Sequence, residues 1–72
     1  MIELYGASWC RGCRLSKEYL KSKNIEYTYY EDDGTKEFWD EVEERCGSRA
    51  IPQILIYDNH IGGYLDLKRI IP

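Results

Sequence analysis

The chain has no apolar run that approaches the length of a membrane-spanning helix, so a helical span is not expected. It also lacks a basic-then-apolar leader. Met1-Ile2-Glu3-Leu4-Tyr5 runs directly into a strand-like pattern, which points to a soluble protein of a reducing, cytoplasmic compartment. Cysteine is scarce. There are three in 72 residues, an odd number, whereas a secreted disulfide scaffold carries a denser and even set. Nor is there an excess of positive charge, and a net charge of −3 argues against general nucleic-acid binding. Repeats, linkers and low-complexity segments are absent. What remains is one domain spanning residues 1–72, close to the lower size limit for an independent core, with a monomer as the default state.

The charge that is present is unevenly placed. Arg11, Arg14, Lys17, Lys21 and Lys23 face only Glu3 and Glu18 in the first third, while the stretch from Glu26 to Glu44 is strongly acidic. This split sets a basic face near the first two cysteines, suited to thiol chemistry and to an acidic partner; it also fits two solvated helix faces.

The elements follow from pattern. Ile2 to Tyr5 reads as a strand closed by Gly6, and Arg11 to about Lys23 as a helix whose Leu15, Tyr19 and Leu20 face a core. Ile25 to Tyr30 reads as a second strand, and Glu31 to Gly34 as a turn. Thr35 is a cap for a helix carrying Phe38, Val42 and Cys46 on one stripe, which Gly47 ends. Pro52 opens a strand from Gln53 to Tyr57, Asp58-Asn59 signals a hairpin, and His60-Ile61 is the fourth strand. After Gly62-Gly63 a last helix runs from about Leu65 to Ile70, with Asp66 as a first-turn acid. The order βαβ-α-ββ-α predicts an α/β fold. Two strands are parallel through a right-handed crossover, and a hairpin supplies two antiparallel ones.

Cys10 and Cys13 stand at Cys-x-x-Cys spacing at the start of the first helix. Unpaired N–H groups and the positive end of the helix dipole favour a thiolate at Cys10, and Arg11 and Arg14 act in the same direction. Cys13, inside the helix, is placed to attack Cys10 and release a bound substrate. The same spacing also serves half of a zinc or iron–sulfur site. Its further ligands would have to be Cys46 and His60, which match no zinc-finger spacing, so no metal is assigned. Trp9 reads as a flat docking surface, Cys46 as a buried thiol, and His60 as structural or exposed. Trp39, Tyr27, Tyr29 and Tyr30 read as core and sheet surface.

Three landmarks together resemble the glutaredoxin branch of the thioredoxin-fold superfamily. They are Cys10-Arg11-Gly12-Cys13, Ile51-Pro52-Gln53, and Gly62-Gly63-Tyr64-Leu65-Asp66-Leu67. The resemblance implies a thioredoxin-like fold, a four-stranded mixed sheet flanked by three helices. It also implies catalysis by Cys10 and Cys13, with Trp9, Arg11, Gly12 and Pro52 stabilising the thiolate or docking substrate. Pro52 would be a cis-proline beside the cysteines. The backbone of Ile51 would pair with bound glutathione, whose γ-glutamyl carboxylate would meet Gly63 and the N–H groups of Tyr64 and Leu65. Arg49 and Arg11 would be partners for its glycyl carboxylate. No bound cofactor is implied, only glutathione as co-substrate, with disulfide-bearing proteins such as ribonucleotide reductase as partners.

The chain departs from the family pattern at several positions. Arg11-Gly12 replaces Pro-Tyr or Pro-Phe, Ala7 replaces a basic residue, Ala50 replaces Thr, and Leu65 replaces a polar side chain. Ala7-Ser8-Trp9-Cys10 resembles thioredoxin. Two alternatives therefore stand beside the leading one: a glutaredoxin-like redoxin recharged by thioredoxin reductase, and a module binding an iron–sulfur cluster between two chains.

Overall fold

The computed structural model describes residues 1–72. Its elements are β1 (Ile2–Gly6), α1 (Arg11–Ser22), β2 (Thr28–Glu31), α2 (Lys36–Cys46), β3 (Gln53–Ile56), β4 (Asn59–Gly62) and α3 (Tyr64–Ile70). The sheet has the order β2-β1-β3-β4. β1 runs parallel to β2, with Leu4 opposite Tyr29, and antiparallel to β3, with Leu4 opposite Ile54. β3 and β4 form an antiparallel hairpin with an irregularity between Ile54 and Leu55. The expected mixed four-stranded sheet with three helices is therefore present.

Alternation along β1 sends Leu4 to one face of the sheet and Tyr5 to the other, and a separate core forms on each. Ile2, Leu4, Leu20, Ile54 and Leu67 make one cluster, which α1 and α3 cover. Tyr5, Val42 and Leu55 make the second, against which Phe38 and Cys46 of α2 pack. Arg45 ties α2 to the sheet. Its guanidinium holds both carboxylate oxygens of Glu3 at 2.9 and 3.0 Å and donates to the Tyr5 hydroxyl at 2.9 Å. That hydrogen bonding keeps the Glu3 carboxyl below its ordinary range.

Several boundaries differ from expectation. The buried face of α1 is Cys13, Ser16 and Leu20, whereas Leu15 and Tyr19 are only half-buried. β2 is shorter and later than Ile25–Tyr30, because Ile25 and Tyr27 pack against the core ahead of the ladder. Glu31 belongs to that strand rather than to the turn after it. The hairpin turns on Tyr57-Asp58, both at positive φ (50° and 66°), one residue earlier than the Asp58-Asn59 signal. Thr35 does cap α2, its hydroxyl accepting from the Phe38 N–H at 3.3 Å, and Gly47 ends it in the left-handed conformation.

No helix is long and apolar enough to cross a membrane.

Candidate functional site

The site is assembled where β1 ends. Past Gly6 the chain leaves the sheet through Ala7-Ser8-Trp9, and the Cys10 N–H returns to the Ala7 carbonyl at 3.2 Å. Cys10 then stands in extended conformation as the N-cap of α1, its Sγ accepting from the Cys13 N–H at 3.2 Å. The two cysteines are joined by a disulfide, with their α-carbons 5.2 Å apart. They differ in access. Cys10 keeps 9% of its surface exposed, while Cys13 keeps none. Trp9, immediately before the pair, is 71% exposed.

Two glycines, Gly6 and Gly12, let separate segments approach this pair, and Gly63 lies in ordinary contact with them. A Cβ on Gly6 would lie 2.8 Å from the Cys13 sulfur and 3.2 Å from the Tyr29 ring, so the strand end must lack a side chain for Cys13 to bury there. A Cβ on Gly12 would meet the Pro52 ring at 3.2 Å, and one on Gly63 would meet the Pro52 carbonyl at 3.4 Å. The start of α1, the Ile51-Pro52 segment and the Gly62-Gly63 turn thus converge. The Ile51-Pro52 bond is cis, and Ile51 packs against Ala7, Cys10 and Cys13. Ile51 lies just beyond the β1–β3 ladder, whose last registered pair is Tyr5 with Gln53. Below them Ser16, fully buried, donates to the Gly12 carbonyl at 2.8 Å and steadies the first turn.

The other candidate residues are placed as follows. Arg11 and Arg14 are exposed, and neither forms an ion pair. Arg49 turns away onto α2, holding Asp40 at 3.0 Å and Glu43 at 2.8 Å. Tyr64 is half-buried and edge-on to Tyr19, whereas Leu65 is 72% exposed. The Gly63 N–H is already donated to the Asp66 carboxylate at 3.0 Å, which leaves Tyr64 and Leu65 as the open donors of that turn. Cys46 is a free, half-buried thiol, and burial pushes its pKa up. His60 is exposed and meets the Gln53 side chain at 2.6 Å. A concavity of about 400 Å³ between β2 and α2, lined by Glu31, Asp33, Glu37 and Glu41 among others, contains neither active-site cysteine.

Sequence reasoning missed Gly6 and Ser16, which set the burial of Cys13 without carrying chemistry of their own. Their one signal was position: Ser16 lies three residues after Cys13 on the same helix face, and Gly6 ends the strand that feeds it.

In this arrangement Cys10, the more exposed of the pair, stands at a helix start, with the fully buried Cys13 one turn behind it. Comparison with known proteins agrees with that geometry. The profile of the glutaredoxin family matches residues 2–61. A glutaredoxin from Pseudomonas aeruginosa is 33% identical over 69 residues, covering 96% of this chain and 82% of its own. Glutaredoxin 1 from Francisella tularensis, solved with cacodylate, superposes with a TM-score of 0.79 at 27% identity, covering 97% of this chain and 90% of that one. A buckwheat glutaredoxin in complex with glutathione shares the fold (TM-score 0.81, 20% identity, 94% of this chain and 64% of that one). The chain belongs to the glutaredoxin family of thiol–disulfide oxidoreductases.

Proposed function

We propose that the protein is a glutathione-dependent reductase of protein disulfides and glutathione mixed disulfides, acting through the Cys10–Cys13 dithiol in the cytoplasm. The observation that carries this reading is the contrast within the pair, with Cys10 keeping 9% of its surface exposed at the helix start and Cys13 keeping none. In the reduced protein the Cys10 thiolate attacks a substrate disulfide. A new S–S bond forms to Cys10, and the first substrate sulfur leaves as a thiolate that takes a proton from water. Cys13 loses its proton and attacks Cys10, the mixed disulfide breaks, and the second substrate sulfur leaves. The protein is left with the internal disulfide, and two electrons have passed to the substrate. One glutathione thiolate then opens that disulfide at Cys10, and a second removes the first as glutathione disulfide.

The site supports each part of this cycle. Helix-start N–H groups favour the anionic sulfur at Cys10, which the Cys13 N–H already approaches. The backbone of Ile51, outside the ladder, offers an edge for an extended thiol peptide, and Pro52 and Gly12 form the floor. The N–H groups of Tyr64 and Leu65 are the donors for a γ-glutamyl carboxylate. Arg11, free of carboxylates, is the better placed cation for the glycyl carboxylate, because Arg49 would have to leave both Asp40 and Glu43. The buckwheat relative of the same fold, solved with glutathione, supports the choice of thiol.

The test follows NADPH consumption during reduction of a small mixed disulfide. One reaction contains glutathione with glutathione reductase, and the other contains thioredoxin reductase alone. Turnover in the first is expected. Turnover only in the second would replace glutathione by thioredoxin reductase as the electron source, the reading to which the exposed Trp9 and the apolar Leu65 lend weight.

A further inference from the structure

Of the ten cations, four are paired with acids, four stand on α1, and two lie elsewhere without a carboxylate, Lys23 on the Pro72 carbonyl and Lys68 over the Tyr64 ring. Lys36, Arg45, Arg49 and Arg69 each hold at least one carboxylate. Those of α1 hold none. Arg11, Arg14 and Lys21 are exposed without a carboxylate partner, and Lys17 rests its ammonium 4.1 Å over the Tyr29 ring. At 100° per residue these four positions fall within about a third of the helix circumference, with Glu18 the single acid among them and itself in no ion pair. The first turn of α1 carries no acid. The strip starts beside Cys10, where Trp9 adds an exposed aromatic surface.

A helix surface with this many unneutralised cations repels itself, and an anionic partner relieves that repulsion. The net charge of −3 on the whole chain disfavours extended polyanions, which meet the acidic remainder of the molecule. A short acidic segment reaching only the strip avoids that repulsion. We infer that α1 is a docking surface for substrate proteins whose disulfide is flanked by an acidic, extended segment. The inference rests on the proposed reductase reading and names its substrate class. From Arg11 to Lys21 the helix rises about 15 Å, which an extended chain covers in about five residues. The acidic side chains therefore lie within about five residues of the attacked cysteine.

The experiment uses the fully reduced protein and three cyclic disulfide peptides of one sequence. Their flanking positions within five residues of one cysteine are all Glu, all Lys or all Ser. The pre-steady-state rate of dithiol release is read for each at low and at physiological salt. The Glu peptide is expected to react about tenfold faster than the Lys peptide at low salt, with the ratio shrinking as salt rises. Lys21→Glu is expected to cut that ratio at least threefold while leaving the Ser peptide unchanged, and Arg14→Glu to cut it further. Lys36→Glu on α2, the same change in net charge, is expected to leave the ratio intact. Equal rates for Glu and Lys peptides, with the Ser peptide still reduced, would overturn the docking surface and spare the reductase reading. An equal loss in Lys36→Glu would show a net-charge effect and overturn it as well. Failure to reduce any of the three would overturn both.

Discussion

At Gly6 a single hydrogen in place of a side chain decides where the second sulfur goes. Cys13 and Tyr29 both close on that α-carbon, so a methyl group there would lie 2.8 Å from the sulfur. Gly6→Ala is expected to cost about 1–3 kcal/mol, the usual range for overpacking a filled core, and to loosen the cover of Cys13. Denaturant unfolding of the oxidised protein measures the first effect. The rate at which an alkylating reagent labels Cys13 in a Cys10→Ser background measures the second, and it should rise. None of this was legible in the chain, because a glycine at a strand end reads first as a terminator. The cysteines themselves were legible, since their spacing, the preceding strand and the following helix are all local patterns. Arg49 was not, since the residues that hold it lie on α2, and a sequence does not display which carboxylates an arginine will reach.

Among the elements, α3 is a short helix for the role proposed for it. It is seven residues long and buries one of them completely, Leu67, in the cluster with Leu4 and Leu20. Leu67→Ala is expected to destabilise the protein by about 2–5 kcal/mol. At temperatures where the variant stays folded, it should raise the KM for glutathione more than the KM for a small neutral disulfide, because the Tyr64 and Leu65 N–H groups, proposed above to hold its carboxylate, move with the helix. Steady-state kinetics with each substrate varied in turn separates the two. Helix α2 shows what was readable at this scale. The Thr35 cap, the Phe38-Val42-Cys46 stripe and the Gly47 stop all come from local chemistry, and all three hold. The hairpin shows what was not. Its turn uses Tyr57 and Asp58 at positive φ with no glycine, a conformation that pairing of β3 with β4 imposes against local preference. Strand β2 likewise gives up Ile25 and Tyr27 because tertiary packing, rather than strand propensity, settles where they go.

For the molecule as a whole, the two cores share a liability at high pH. Burial pushes the Tyr5 and Tyr29 phenols up to about 12 from an ordinary 10.0, with carboxylates near each adding to the rise. A phenol that resists ionising in the fold and ionises freely in the unfolded chain gives the unfolded state fewer protons. The stability these groups supply is therefore complete below pH 10.0 and is lost as pH climbs toward about 12. Urea midpoints measured across that window should fall, and Tyr5→Phe should flatten part of the fall. The fold as a whole was legible because its element order and its three landmark motifs occur together. What the order alone left open was the meeting of those landmarks around Pro52, where Gly12 leaves room that a side chain would tighten to 3.2 Å. The central claim is that Cys10 takes glutathione from a substrate and that Cys13 is not needed for that step. The measurement is mass mapping of Cys13→Ser protein after reaction with a glutathionylated peptide. One glutathione on Cys10, with stoichiometric release of the peptide thiol, is the expected result; an unmodified protein, or glutathione found on Cys46, would contradict the account.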